Sequence, residues 1–181
     1  LRQLLDQHEI TIFAAAPGVF RKILTDETIL KLPKLRHALS AGEKMPDRLQ
    51  KAWRATTGCP VYEAYGMSEC STFISASPAH PARPGTLGRP QTGRRVAIVD
   101  ADGPVAVGTK GMIAVSRHDQ GLMLGYRHEN GALRRLVADE WFVTGDQGIM
   151  DQDGQIEYCG RADDIMTAGG YRVSPLEVES A

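Results

Sequence analysis

The chain has 181 residues, 42% of them hydrophobic and 24% charged, with 21 Lys/Arg against 22 Asp/Glu and a formal net charge of -1. This composition supports a folded core in one domain or two small ones, and the near-neutral balance offers no basic face for a phosphate backbone, which argues against nucleic acid as a partner. No apolar run reaches the roughly 18 residues that a membrane-spanning helix requires, so no membrane span is expected.

In chain order, Leu1, Leu4, Leu5 and His8 share a helical face, and residues 10–16 form a short apolar run ended by Pro17 and Gly18. This pattern predicts a helix followed by a buried strand. A helix is expected over 19–24, a strand over 35–41 breaking at Gly42, a helix over 46–57 with Pro46 at an early position, and a strand over 61–65. Strands separated by helices predict a parallel, doubly wound α/β sheet. Ligands of such sheets bind beyond the carboxyl ends of the strands, which directs attention to Ala41, Gly42 and Glu43 and to Gly66, Met67, Ser68 and Glu69.

From Pro78 to Pro90 the chain is rich in Pro, Gly and Arg, and short alternating strands follow, expected at 95–99, 111–116, 141–144, 148–150 and 155–158. Asp102-Gly103 and Asp153-Gly154 carry the hairpin signal. The expected architecture is therefore an α/β part over 1–80 and a small antiparallel, β-barrel-like part over 81–160. Residues 161–181 remain as a third segment. Asp151-Gln152-Asp153-Gly154 lacks the further ligands and terminal Glu of a calcium loop and reads as a hairpin.

Cys59, Cys70 and Cys159 are odd in number and lack Cys-x-x-Cys spacing, so neither a disulfide framework nor a zinc site is expected. They read as reduced thiols of a cytoplasmic protein. His8, His37, His80, His118 and His128 are isolated and define no metal site. Ser68 and Glu69 present a hydroxyl and a carboxylate just past a strand, which is also what a plain polar turn would do. The same stretch, Gly66-Met67-Ser68-Glu69-Cys70, looks like an α/β-hydrolase nucleophile elbow with Cys in place of the last Gly, and no histidine around it stands in a motif.

Three separated motifs carry a family resemblance: Tyr65-Gly66-Met67-Ser68-Glu69; Trp141-Phe142-Val143-Thr144-Gly145-Asp146-Gln147-Gly148; and Gly160-Arg161-Ala162-Asp163-Asp164 followed by Gly169-Gly170-Tyr171-Arg172-Val173-Ser174-Pro175-Leu176-Glu177-Val178-Glu179. Together and in this order they resemble the adenylate-forming enzymes, and within them the AMP-forming acyl-CoA ligases. The resemblance implies activation of a fatty or aromatic carboxylic acid by ATP, release of pyrophosphate, and transfer of the acyl group to coenzyme A. It implies that Ser68 contacts phosphate, Glu69 holds Mg²⁺, Asp146 binds the ribose and Arg161 contacts the nucleotide. Ala41, Gly42 and Glu43 match the adenine-contacting loop, with Tyr65 and Gly66 near the nucleotide and acyl site and residues 11–20 walling the acyl pocket. Asp163 matches the domain hinge, Gly170 the thiol path, and Arg172 a second basic position there.

Two departures stand out. Thr167 occupies a position where many relatives carry Lys, and no Gly-, Ser/Thr- and Lys-rich phosphate loop is present. By the resemblance, the chain begins after that loop and stops where the small C-terminal domain, with its adenylation lysine, would start. The chain alone is then expected to be inactive. A non-catalytic nucleotide-binding remnant and an α/β-hydrolase remain as alternatives, and homo-oligomerisation is left open.

Overall fold

A computed structural model describes residues 2–25, 32–127, 129, 131, 133–134, 140–163, 166–168 and 171–173. The first part of the chain alternates helix and strand as its periodicity predicts: α1 (Arg2–Gln7), β1 (Ile12–Ala15), α2 (Pro17–Leu24), β2 (His37–Ala41), α3 (Asp47–Thr57) and β3 (Val61–Met67). β1, β2 and β3 pair in parallel. Both prolines sit at helix starts, with α2 beginning two residues before and α3 one residue after the expected position. Pro17 opens α2 instead of merely ending the strand, because its fixed φ and missing N–H suit the first helical turn. Pro46 is the extended N-cap of α3 rather than a helical residue.

Register explains where the first core lies. Phe13 pairs with Ala38 and Ala38 with Val61, so these side chains share one face of the sheet. They join Leu5, Phe20, Ile23, Leu49 and Trp53 in a single buried cluster, which means that α1, α2 and α3 all cover that face. Aromatic rings fill its centre, with Phe13 5.2 Å from Phe20 and Phe20 4.8 Å from Trp53, both edge-to-face. The segment 11–20, read from the resemblance as acyl-pocket wall, thus commits both its phenylalanines to the core. The opposite face carries Ile12, Leu39 and Tyr62, with His37 stacked on Tyr62 at 5.0 Å.

Beyond β3 the chain does something that the sequence pattern did not predict. It turns sharply and returns antiparallel as β4 (Ser71–Ser75), then adds β5 (Arg89–Pro90) outside it, giving the sheet order β1-β2-β3-β4-β5. Gly66 makes the tight return feasible. A Cβ there would stand 2.2 Å from the Ser71 carbonyl oxygen, a separation no side chain tolerates.

The second sheet is antiparallel, as expected. It contains β6 (Val96–Asp100), β7 (Gly103–Pro104), β8 (Lys110–Ser116), β11 (Trp141–Met150) and β12 (Ile156–Arg161) in the order β12-β11-β8-β6-β7. β12 and β7 are its two edges, so this sheet is open where a barrel-like closure was expected. Asp102-Gly103 turns β6 into β7 and Asp153-Gly154 lies between β11 and β12, as their sequences predict. The strands expected over 141–144 and 148–150 merge into β11, whose register shifts between Val143 and Gln147. Short ladders β9 (Tyr126–Arg127) with β10 (Leu133–Arg134), and β13 (Met166–Ala168) with β14 (Tyr171–Val173), complete the described elements.

A second core joins the two sheets. Cys70, Phe73 and Ile74 from the β3–β4 region are buried with Ile98, Ile113, Val115 and Ile156 of the second sheet. The Pro- and Gly-rich segment between them is fastened rather than loose. Arg83 N–H and the Thr86 hydroxyl both donate to buried Gln155 Oε1, at 2.8 and 2.7 Å, and Leu87 N–H donates to the Ile156 carbonyl at 2.8 Å.

Trp53 is fully buried, yet its indole N–H has no hydrogen-bond partner among the described residues. Trp53→Ala should therefore lower the unfolding free energy by about 3–5 kcal/mol. Trp53→Phe should cost less than half of that, because it also removes an unpaired donor whose burial costs about 1–3 kcal/mol. Urea denaturation of the two variants checks this, and equal losses would contradict the account.

Candidate functional site

The carboxyl ends of β2 and β3 lie side by side, because Ala41 pairs with Ala64. That register sets the exposed loop Ala41, Gly42 and Glu43 beside Tyr65 and Gly66, which continue β3 instead of following it. The loop is held from below by a residue that sequence reasoning missed. Glu63 Oε1 accepts the Met45 backbone N–H at 2.6 Å, and burial raises the Glu63 carboxyl above its usual range despite that bond.

Tyr65 crosses from the first sheet to the second. Its hydroxyl donates to Asp146 Oδ2, while the Tyr158 hydroxyl donates to Asp146 Oδ1 at 3.2 Å. Burial first, and then the Asp146 carboxylate, push the Tyr65 phenol well above its ordinary pKa, so Tyr65 acts as a donor throughout the physiological range. The Tyr65 ring also packs against Phe73 at 5.2 Å and Tyr158 at 6.1 Å.

Asp146 sits within β11 just past its irregularity. Its backbone N–H donates to the Thr144 hydroxyl at 3.1 Å, and that hydroxyl donates in turn to the Ile113 carbonyl at 2.8 Å. Across the ladder Asp146 pairs with Arg161 of β12, whose Nη1 lies 3.7 Å from Asp146 Oδ1. Arg161 also grips Asp163 with two hydrogen bonds, Nε to Oδ1 at 2.7 Å and Nη2 to Oδ2 at 2.8 Å, and this drives the exposed Asp163 carboxyl below its usual range. Gly145 permits the arrangement: its φ of +86° favours glycine, and a Cβ there would lie 3.0 Å from Arg161 Nη2.

Ser68 and Glu69 occupy the turn between β3 and β4. A nucleophile elbow needs a strand followed by a helix. Here a strand follows, so the hydrolase alternative lacks its geometry. Ser68 is exposed, whereas Glu69 is half-buried and gripped by the segment that runs from β8 into β9: Tyr126 donates to Glu69 Oε1 at 2.7 Å and Met123 N–H to the Glu69 carbonyl at 2.7 Å. Among the described residues no three His, Cys, Asp or Glu side chains gather as a metal cage. Mg²⁺ needs none, since it binds through one or two carboxylates and otherwise phosphate and water, so the hard oxygens of Glu69 fit that ion.

The structure thus gathers Tyr65, Asp146, Arg161 and Asp163 into one network and sets the 41–43 loop beside it. Gly170 and Asp164 lie outside the described residues, and Arg172 is described only as backbone, paired with Thr167. Sequence reasoning missed Tyr158, Glu63 and Tyr126. The alternation of Ile156 and Tyr158 on one strand face was the available signal for Tyr158.

Comparison with known proteins shows the family to which the chain belongs. A family described as AMP-binding enzyme matches residues 1–127. The human protein named acyl-coenzyme A synthetase ACSM3, mitochondrial, is 34% identical over 184 residues, covering 99% of this chain and 31% of that protein. The crystal structure of the anthranilate CoA ligase AuaEII in complex with anthranoyl-AMP superposes with a TM-score of 0.80 at 33% identity, covering 99% of this chain and 35% of that one. O-succinylbenzoate coenzyme A synthetase from Bacillus subtilis, in complex with ATP and magnesium ion, gives 0.81 at 28% identity, covering 98% and 37%. The chain spans about a third of the length of these proteins.

The Arg161–Asp163 pair predicts a titration. The lowered Asp163 pKa means that the pair contributes stability above the ordinary aspartate range and loses it as pH falls through the depressed native value. Carboxyl-carbon NMR should show Asp163 titrating below ordinary aspartates and returning to their range in Arg161→Gln. An unchanged Asp163 midpoint in that variant would refute the pairing.

Proposed function

The chain belongs to the AMP-binding enzyme family, and from that premise we propose that it forms the nucleotide-handling part of an AMP-forming carboxylic acid–CoA ligase. In the first half-reaction a carboxylate oxygen of the acid attacks the α-phosphorus of ATP and pyrophosphate leaves. In the second, the coenzyme A thiol loses its proton, its sulfur attacks the acyl carbon, and AMP leaves. The observation that carries the reading is the convergence on Asp146: Tyr65 and Arg161, from motifs far apart in the chain, both reach this one buried carboxylate.

Asp146 has the acceptor capacity for a ribose. An ionised carboxylate offers about four lone-pair sites. Tyr65 and Tyr158 use one on each oxygen, which leaves one on each for the two hydroxyls of a cis-diol. Arg161, permanently charged and fork-shaped, suits nucleotide oxygens beside it. The exposed Ala41-Gly42-Glu43 loop is small enough for a base to approach its backbone. Glu69 would hold Mg²⁺ and Ser68 would donate to a phosphate oxygen, and the bound ion would supply positive charge against the phosphates. Asp163, Gly170 and Arg172 are proposed for the hinge and the thiol path, with residues 161–181 distinct from the parts over 1–80 and 81–160.

The acid is proposed to be fatty or aromatic. The relatives supporting this bear the names acyl-coenzyme A synthetase and anthranilate CoA ligase. The free thiols require only a reducing compartment, a condition the cytoplasm meets, although the human relative is named as mitochondrial. No described helix is long and apolar enough to cross a membrane.

The test is carboxylate-dependent pyrophosphate release by the intact protein across short, medium, long and aromatic acids, with and without coenzyme A. Release that depends on one acid class and accelerates with coenzyme A is expected. Nucleotide binding without release across the panel would mark a non-catalytic remnant. Asp146→Asn should raise the KM for ATP by about tenfold or more while changing kcat less, since each lost charge-assisted hydrogen bond is worth about 1.5–3 kcal/mol. An unchanged KM would remove the ribose role from Asp146.

A further inference from the structure

The Glu69 carboxylate is held by the segment that runs from β8 into β9, which neither the sequence motifs nor the proposed chemistry calls for. Between β8 and β9 the chain passes through Asp119, whose side chain is 1% exposed and lies 2.9 Å from Arg94 Nη1. The same carboxylate accepts the backbone N–H of Gly121 at 2.8 Å and of Arg95 at 3.2 Å, so the start of the segment is rigidly anchored. Arg94 reaches further and donates through Nη2 to the Cys70 carbonyl, the residue after Glu69. Met123 N–H bonds the Glu69 carbonyl at 2.7 Å, and Tyr126 then meets the carboxylate itself at 2.7 Å. The turn is therefore gripped at two successive carbonyls and at the side chain, all from one segment and its ion-pair partner.

Glutamate has several rotatable side-chain bonds, and a carboxylate that must be ordered at the moment of metal binding binds more weakly. A neutral phenol that donates to one carboxylate oxygen removes much of that freedom and uses a single lone pair, leaving the remaining sites to a cation. Hydrogen-bonded support of this kind is how carboxylate ligands are ordinarily oriented. We propose that Tyr126 is a positioning residue for the Glu69 carboxylate, carried by the segment that the buried Asp119–Arg94 pair anchors, and that it presets Glu69 for a divalent cation bound with nucleotide. The inference rests on the reading of Glu69 as the Mg²⁺ carboxylate.

The experiment is a Mn²⁺ titration followed by electron paramagnetic resonance, on the intact protein with α,β-methylene-ATP, comparing the native protein, Tyr126→Phe and Glu69→Gln. Binding of the nucleotide analogue in EDTA is measured in parallel. Tyr126→Phe is expected to weaken Mn²⁺ binding by roughly tenfold, within the range seen when support of a metal ligand is removed, while metal-free nucleotide binding and the melting temperature stay as in the native protein. Loss of Mn²⁺ binding in Glu69→Gln with native affinity in Tyr126→Phe would overturn the inference and leave the metal role of Glu69 standing. An equal loss of metal-free nucleotide binding in Tyr126→Phe would also overturn it, by exposing a general structural role. Native Mn²⁺ affinity in Glu69→Gln would overturn the metal reading and the inference together.

Discussion

A buried carboxylate is the constraint around which this protein is arranged. Removing an ion such as Asp146 from water costs several kcal/mol unless its lone pairs are matched. Here three matching groups come from two elements: Tyr65 from the first sheet, and both Tyr158 and the Arg161 guanidinium from the neighbouring strand β12. None of these can move independently without leaving the charge unsatisfied. The relative position of the two sheets, the irregular course of β11 at Gly145 and the placement of Arg161 are therefore coupled through one side chain.

Apolar packing supports that polar joint. β4 belongs by hydrogen bonding to the first sheet, yet its Phe73 and Ile74 lie in the core shared with β6, β8 and β12. The return at Gly66 thus serves two ends. It creates the turn that displays Ser68 and Glu69, and it sends apolar side chains under the second sheet. A helix after β3, as in a hydrolase elbow, would accomplish neither.

Family membership and geometry meet in how the work is divided. The first sheet ends its strands at the exposed 41–43 stretch and at the 68–69 turn. The second sheet supplies charge, through Asp146 and Arg161, and the segment that leaves its strand β8 secures Glu69 through Met123 and Tyr126. Asp146 and Glu69 are thereby each held by hydrogen-bonding partners from another part of the fold, the second-layer support that a precise site requires.

The amino-acid sequence by itself determined the features whose causes are local. Helix and strand periodicity, Pro46 at the start of a helix, and Asp102-Gly103 and Asp153-Gly154 as turns follow from interactions over a few residues. Only the tertiary structure decided the return of β4, the open second sheet, and the partners of the motif residues. Tyr65 and Asp146 are 81 residues apart, and Tyr126 and Glu69 are 57 apart. No periodicity or turn preference acts over such separations. Those pairings depend on which faces the two sheets bury against each other, and on the requirement that a charge enclosed between them find every available donor.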